Sequence, residues 1–197
     1  MPTAAAIEAS MRDWVQTAVI GLGLCPFAAP VASRDAIRYC VSTAQTDDEV
    51  IADLVRELET LAEASPARLE TTLLIVPHHF ADFLEFNDFL DVVDEVLQKL
   101  DLEGEIQVAS FHPQYQFADS APDDIENCTN RSPWPALHLL REDSVERATE
   151  GMDDASAIVD KNIQTLRALG HAGWARLWQG ARAQDRTDTE PDTRKDD

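Results

Sequence analysis

The sequence predicts an α/β fold: a single sandwich domain with a three- to four-stranded, mainly parallel sheet and helices packed on it. Three observations carry that expectation. Apolar residues recur at three- and four-residue spacing in three segments before residue 101, each the mark of a helix with one buried face. Short β-prone runs follow these segments, giving the order α-β-α-β-α-β, which argues for parallel crossovers. The middle run, Thr71 to Val76, reads TTLLIV without interruption, as suits a strand covered on both faces.

The first helix is expected from about Ala4 to Ile20, with Ile7, Met11, Trp14, Val15, Ala18 and Val19 on its apolar face, Thr3 as N-cap and Gly21-Leu22-Gly23 as its stop. An apolar loop, Leu24 to Ala28, follows. Ala36 to Ser42 is the first predicted strand, with Ile37, Tyr39 and Val41 on one face. Thr46 and Glu49 match a capping box opening a helix whose apolar face runs from Val50 to Leu61 and which closes at Ser65-Pro66. Thr71 to Val76 is the second strand, ended by Pro77-His78-His79. A third helix is expected from about Phe80 to Leu100, with one of the two histidines at its cap and Asp88, Asp91, Asp94 and Glu95 on a solvated arc. Glu105 to Phe111 is the third strand. Trp134 to Leu140 suggests a fourth, with Leu137 and Leu139 facing one way and His138 the other. Ser144 to Gly151 and Asp154 to Leu169 read as helices, the second stopped by Gly170, and Trp174, Leu177 and Trp178 dock a last amphipathic turn. The domain is therefore expected to span residues 1–178. Residues 179–197 hold no apolar residue larger than alanine and are expected to be disordered.

The 37 Asp and Glu against 16 Lys and Arg give a net charge of −21. Such a chain repels phosphate backbones and anionic membrane surfaces, so neither nucleic acid nor membrane is expected as a partner. Solubility is the simplest reading of this charge, and a cationic partner the next. The three cysteines, Cys25, Cys40 and Cys128, are odd in number and form no CxxC pair, which fits a reducing cytoplasm. No basic segment followed by an apolar run opens the chain, so no signal peptide is expected.

Ligands bind beyond the C-terminal ends of strands in open parallel sheets. Those ends are predicted to carry Ser42-Thr43, Pro77-His78-His79 and His112-Pro113-Gln114-Tyr115. His112 titrates near neutrality and suits acid–base work, with a hydrogen-bonded structural role as the alternative. Asn130-Arg131-Ser132-Pro133 reads as a donor-rich turn in which Arg131 binds a carboxylate or phosphate, of a ligand or of the chain itself. Arg141 stands at a strand end, where it binds substrate or pairs internally. Cys25 is the cysteine in an irregular loop and becomes a nucleophile only if a histidine or helix N-terminus lowers its pKa. His78, His79, His112 and His138 are candidate ligands for a transition metal, although neighbouring residues on a strand point to opposite faces. No phosphate-loop, dinucleotide, serine-hydrolase or zinc-protease motif occurs.

The segments Leu24-Cys25-Pro26-Phe27-Ala28, Gln107 to Pro113, Asn130-Arg131-Ser132-Pro133 and Leu137 to Glu142 together resemble a bacterial family catalogued as domain of unknown function 1415. The likeness covers roughly residues 5 to 150. It implies no assigned reaction, but its signature segments coincide with the positions selected above. The family pattern has an acid after the His-Pro pair where this chain has Gln114, which weakens any mechanism needing a carboxylate there.

Three functions follow as expectations. The first is a cytoplasmic enzyme acting on a small anionic molecule, with His112 as acid–base group, Cys25 as nucleophile, Arg131 as anion anchor, Tyr115 and Asn130 as orienting donors, and Ser132 and Arg141 beside the substrate. The second is a metal-binding protein using His112, His138 and one of His78 or His79. The third is a non-catalytic interaction module whose polar turns are structural and whose acidic surface meets a basic partner. The sequence leaves the oligomeric state open.

Overall fold

The computed structural model describes residues 2–149 and 156–177. Thr3 caps helix α1 (Ala4–Trp14), its hydroxyl accepting the Ala6 N–H at 3.3 Å, and the helix continues as π-helix through Val15–Ile20 to the glycine turn. A short helix α2 (Ala28–Ser33) leads into strand β1 (Ile37–Val41). Helix α3 (Asp47–Glu63) opens on the expected capping box: Thr46 accepts from the Glu49 N–H, and the Glu49 carboxylate reaches back to the Gln45 N–H at 2.8 Å. Strand β2 (Thr71–Ile75) is buried at every residue, as its unbroken apolar run requires.

Helix α4 runs Phe83–Lys99 and starts later than its apolar period suggests. Its N-cap is Asp82, which accepts the N–H groups of Leu84 and Glu85, so neither His78 nor His79 caps it. Phe80 instead sits at φ +58 in a turn before the helix. Strand β3 (Ile106–Phe111) is followed by a 3-10 turn (Ile125–Asn130) and strand β4 (Ala136–Arg141). Helix α5 is Glu142–Thr149. Helix α6, Ser156–Leu177, is interrupted at Gly170, whose non-helical backbone (φ +65, ψ 169) ends the first helical stretch where the stop was expected, before a last stretch that carries Trp174 and Leu177. The expected tail, Trp178, and the predicted helix ends at Gly151 and Asp154 lie outside the described residues.

The α/β class holds, but the expected mainly parallel sandwich does not. The sheet is open, in the order β1-β2-β4-β3, with one parallel pair (β1–β2) and two antiparallel pairs (β2–β4 and β4–β3). The reason is the segment 112–135. It doubles back along the end of the sheet instead of crossing over, so β4 enters antiparallel between β2 and β3. Strands β1, β2 and β3 still point the same way, and their C-terminal ends share one edge of the sheet.

Alternation along the strands sorts the core into two layers. Leu74, Val76, Leu137 and Leu139 pack under α3 and α4 against Leu54, Leu58, Phe86 and Val93. Leu73, Ile75 and Ala136 face α1 and α6, against Ile7, Met11, Trp14, Leu166 and Trp174. Glu57 of α3 is fully buried and pairs with Arg38 of β1 at 2.6 Å. Burial pushes the Glu57 carboxyl up, but hydrogen bonds from Arg38 and Cys40 and the charges of Arg38 and Arg56 hold it below its ordinary value.

Candidate functional site

Strands β1, β2 and β3 end on the same side of the sheet, and the polar group at the end of β3, His112, is spent on holding chain. His112 lies at the end of β3, 1% exposed, against Phe83 and stacked on Phe86. Its Nδ1 accepts the Gln114 N–H at 3.0 Å, so the proton sits on Nε2, which donates to the Phe80 carbonyl at 2.9 Å. Burial moves its pKa below the ordinary histidine value, against the pull of the Phe80 carbonyl and the Asp82 charge. Both ring nitrogens are therefore occupied, and their partners are the turn on either side of Pro113 and the positive-φ residue before α4.

Arg131 also serves backbone. Its Nε donates to the Tyr115 carbonyl at 3.1 Å and a terminal nitrogen donates to the Pro122 carbonyl at 2.8 Å, which folds the loop 115–122 onto the turn. Asn130 donates to the Ser110 carbonyl, and Ser132, fully buried, donates to the Trp134 carbonyl. Two tryptophans bind the turn to α1: Trp14 Nε1 donates to the Arg131 carbonyl and Trp134 Nε1 to Ser10 Oγ. Tyr115 packs its ring between Phe83 and Phe117. Arg141 makes no ion pair among the described residues. It donates to the Leu61, Ala64 and Leu69 carbonyls, closing the C-terminus of α3 where the helix leaves its last carbonyls free.

Cys25 does not join these groups. It packs near Leu140 and Ala109 with Phe27 and Val31, on the α1 face of the sheet, whereas His112 lies on the α4 face. Burial raises its thiol pKa despite hydrogen bonds from the Phe27 and Ala28 backbone, the reverse of what activates a nucleophile. His138 also faces the α1 side, in a row across the sheet with Tyr39, Leu73 and Ala109. Thr71 Oγ1 gives its proton to the Leu139 carbonyl at 2.5 Å, so His138 Nε2–H donates to Thr71 at 2.8 Å. Desolvation pushes the His138 pKa down to about 4. His79 meets Asp47 at 2.6 Å, beside Phe80. The sheet thus separates His138 from His112, and among the described residues no group of three His, Cys, Asp or Glu side chains is placed to hold a metal.

The feature that residue-by-residue reading missed is an edge. Strand β1 is outermost, and the Ser42 N–H and Ala36 carbonyl turn inward to β2, so Ala36, Arg38, Cys40 and Ser42 pair with β2. By alternation Ile37, Tyr39 and Val41 point their N–H and C=O groups outward. Beside them lies an open groove of about 620 Å³, lined by Arg12, Asp35, Arg38, Tyr39, Glu63 and Arg68 among others. Arg12 stands over the Tyr39 ring, 4.1 Å from its centroid. The other edge, β3, is engaged toward its two ends: Ile106 N–H goes to Leu102, the Ser110 carbonyl accepts Asn130, and His112 N–H goes to the Asn130 carbonyl, while the outward groups of Val108 between them make no such bond among the described residues. The one sequence signal for the exposed edge was Arg38 in the middle of a predicted strand, against the charge-free run of β2.

The fold and this surface define an α/β protein with an open sheet edge at β1 and an edge at β3 that is engaged toward its ends. The model of a family described as "Protein of unknown function (DUF1415)" matches residues 6–176, and the chain belongs to that family. No curated protein and no solved structure matched. No helix among the described residues is long and apolar enough to cross a membrane.

Proposed function

We propose that this chain is a non-catalytic interaction module that takes an extended polypeptide segment along the open edge of β1. The single observation that carries the reading is the row of outward main-chain groups at Ile37, Tyr39 and Val41, the first two of which line a groove. A strand that adds to such an edge gains main-chain hydrogen bonds, while alternate side chains supply specificity. The commitment of His112, Arg131, Asn130, Ser132 and Arg141 to backbone carbonyls and amides supports a structural role for the polar turns. A Cys25–His112–Arg131 enzyme draws less support, because Cys25 and His112 lie on opposite faces.

An array of seven-residue synthetic peptides probed with the labelled chain tests the reading. Bound peptides should lose about five- to tenfold in affinity against Val41→Pro, which removes one outward N–H at a position where an edge strand tolerates proline. Binding that Val41→Pro leaves unchanged sinks the proposal.

A small anion is the second reading, because Arg12, Arg38 and Arg68 line one groove in a chain of net charge −21. Arg68 has no ion pair among the described residues. Thermal stabilisation by citrate or inorganic phosphate, lost in Arg68→Ala, is the result that reading requires.

A further inference from the structure

We infer that the segment taken up by β1 is β1 of a second copy of this chain, paired antiparallel about a two-fold axis through Tyr39. The inference rests on the edge-binding reading above and names its partner.

The strand is close to a palindrome in character: Ile37-Arg38-Tyr39-Cys40-Val41. Turned antiparallel about Tyr39, all five residues overlap, with Ile37 opposite the partner's Val41 and Tyr39 opposite the partner's Tyr39. The outward-facing residues are the odd-numbered ones on both copies, so each of these three pairs falls where two strands exchange both main-chain hydrogen bonds. Six hydrogen bonds result, and the paired four-stranded sheets become one continuous sheet. On the α1 face the cross-strand pairs are apolar or aromatic, the combinations that stabilise antiparallel strands. Arg38 meets the partner's Cys40 and not a like charge.

Charge permits self-association at this face. Two copies of net charge −21 repel. Of the twelve Lys and Arg among the described residues, Arg12, Arg38 and Arg68 line the groove, and Arg34 and Arg56 pair beside it with Glu70 and Glu57. The groove lining holds three arginines and two carboxylates, Asp35 and Glu63, with Arg12 and Arg38 also paired to Glu8 and Glu57, so its charge is mixed. A two-fold interface must be self-complementary, and a mixed lining of this kind satisfies that where a uniformly acidic face does not. Asn130 engages the C-terminal end of β3, at the Ser110 carbonyl and the His112 N–H, whereas no such bond engages the outward groups of Ile37, Tyr39 and Val41 among the described residues, which favours β1 as the pairing edge.

The test is sedimentation of the full chain with Tyr39→Lys and Tyr39→Glu, alone and mixed. Either substitution puts like charges opposite each other on the axis, and the mixture puts opposite charges there. Wild type is expected at twice the chain mass of 21.8 kDa, each variant alone at one chain mass, and the equimolar mixture again at twice. In the wild-type dimer the amides of Ile37, Tyr39 and Val41 should exchange more slowly on raising concentration, while those of Arg38 and Cys40, already bonded to β2, should not change. Circular dichroism of each variant separates loss of pairing from loss of fold, and a variant that fails to fold is replaced by Val41→Pro in the same sedimentation run. A monomeric wild type overturns the inference, as does a dimer that neither Tyr39 variant nor Val41→Pro disturbs. If wild type is monomeric and the array still yields peptides sensitive to Val41→Pro, the edge-binding reading stands and only its partner is wrong. If neither is seen, both fall.

Discussion

A histidine whose two nitrogens are both hydrogen-bonded to its own backbone has no lone pair or proton left for a substrate, and His112 is in that position. His112→Ala would leave the buried Phe80 carbonyl and the Gln114 N–H without partners and remove a ring stacked on Phe86. The expected cost is about 3 kcal/mol, read as a lower urea midpoint with an unchanged slope. His138 makes a pH prediction. In the unfolded chain its imidazole titrates near about 6.5. In the folded chain it titrates at about 4, because burial disfavours the charged ring. Above about pH 6.5 neither state protonates and the contribution of this ring to stability is complete. As pH falls from about 6.5 to about 4, the unfolded chain binds a proton that the folded chain refuses, so stability falls by up to about 3 kcal/mol. Below about pH 4 this group takes nothing further. His112 is shifted in the same direction and adds to the loss. Urea unfolding of wild type and His138→Leu at pH 7 and at pH 4.5 checks this. The variant is weaker at pH 7, having lost its bond to Thr71, but its stability declines less between the two. Equal declines would refute the assignment.

At the scale of elements, most boundaries were legible because their signals are local. The Thr3 cap, the Thr46–Glu49 box and the unbroken TTLLIV run each act within a few residues, and each appears where the pattern placed it. The start of α4 was not legible. Its apolar period reaches back to Phe80, but His112, far along the chain, holds that residue in a positive-φ turn. Arg141 is similar: its position at a strand end was visible, but the three carbonyls it closes belong to the end of α3 and the loop after it. Arg141→Ala should therefore uncap α3 and cost about 2–3 kcal/mol. Helix-resolved hydrogen exchange should show the last turn of α3 opening first in Arg141→Ala. Unchanged protection near Leu61 would mean that the cap contributes nothing.

At the scale of the whole molecule, the acidic composition and the arrangement of the strands combine. Acids cover the solvated arc of α4, at Asp88, Asp91 and Asp94, while arginines gather beside β1. The antiparallel pairing proposed at β1 would bury that near-neutral face and leave acidic surface outward. The sequence by itself determined the α/β class, the order of the four strands and the longer helices though not the short α2, the shared faces within β1 and β4, and the polar turns that carry the family signature, since each of these depends on periodicity or on neighbours within a turn. Only the tertiary structure decided three further matters. It placed β4 antiparallel between β2 and β3, it set Cys25 and His112 on opposite faces, and it left β1 as the open edge. These depend on which strand lies beside which. That order is fixed by long-range packing of both sheet faces, and no local pattern of residues records it.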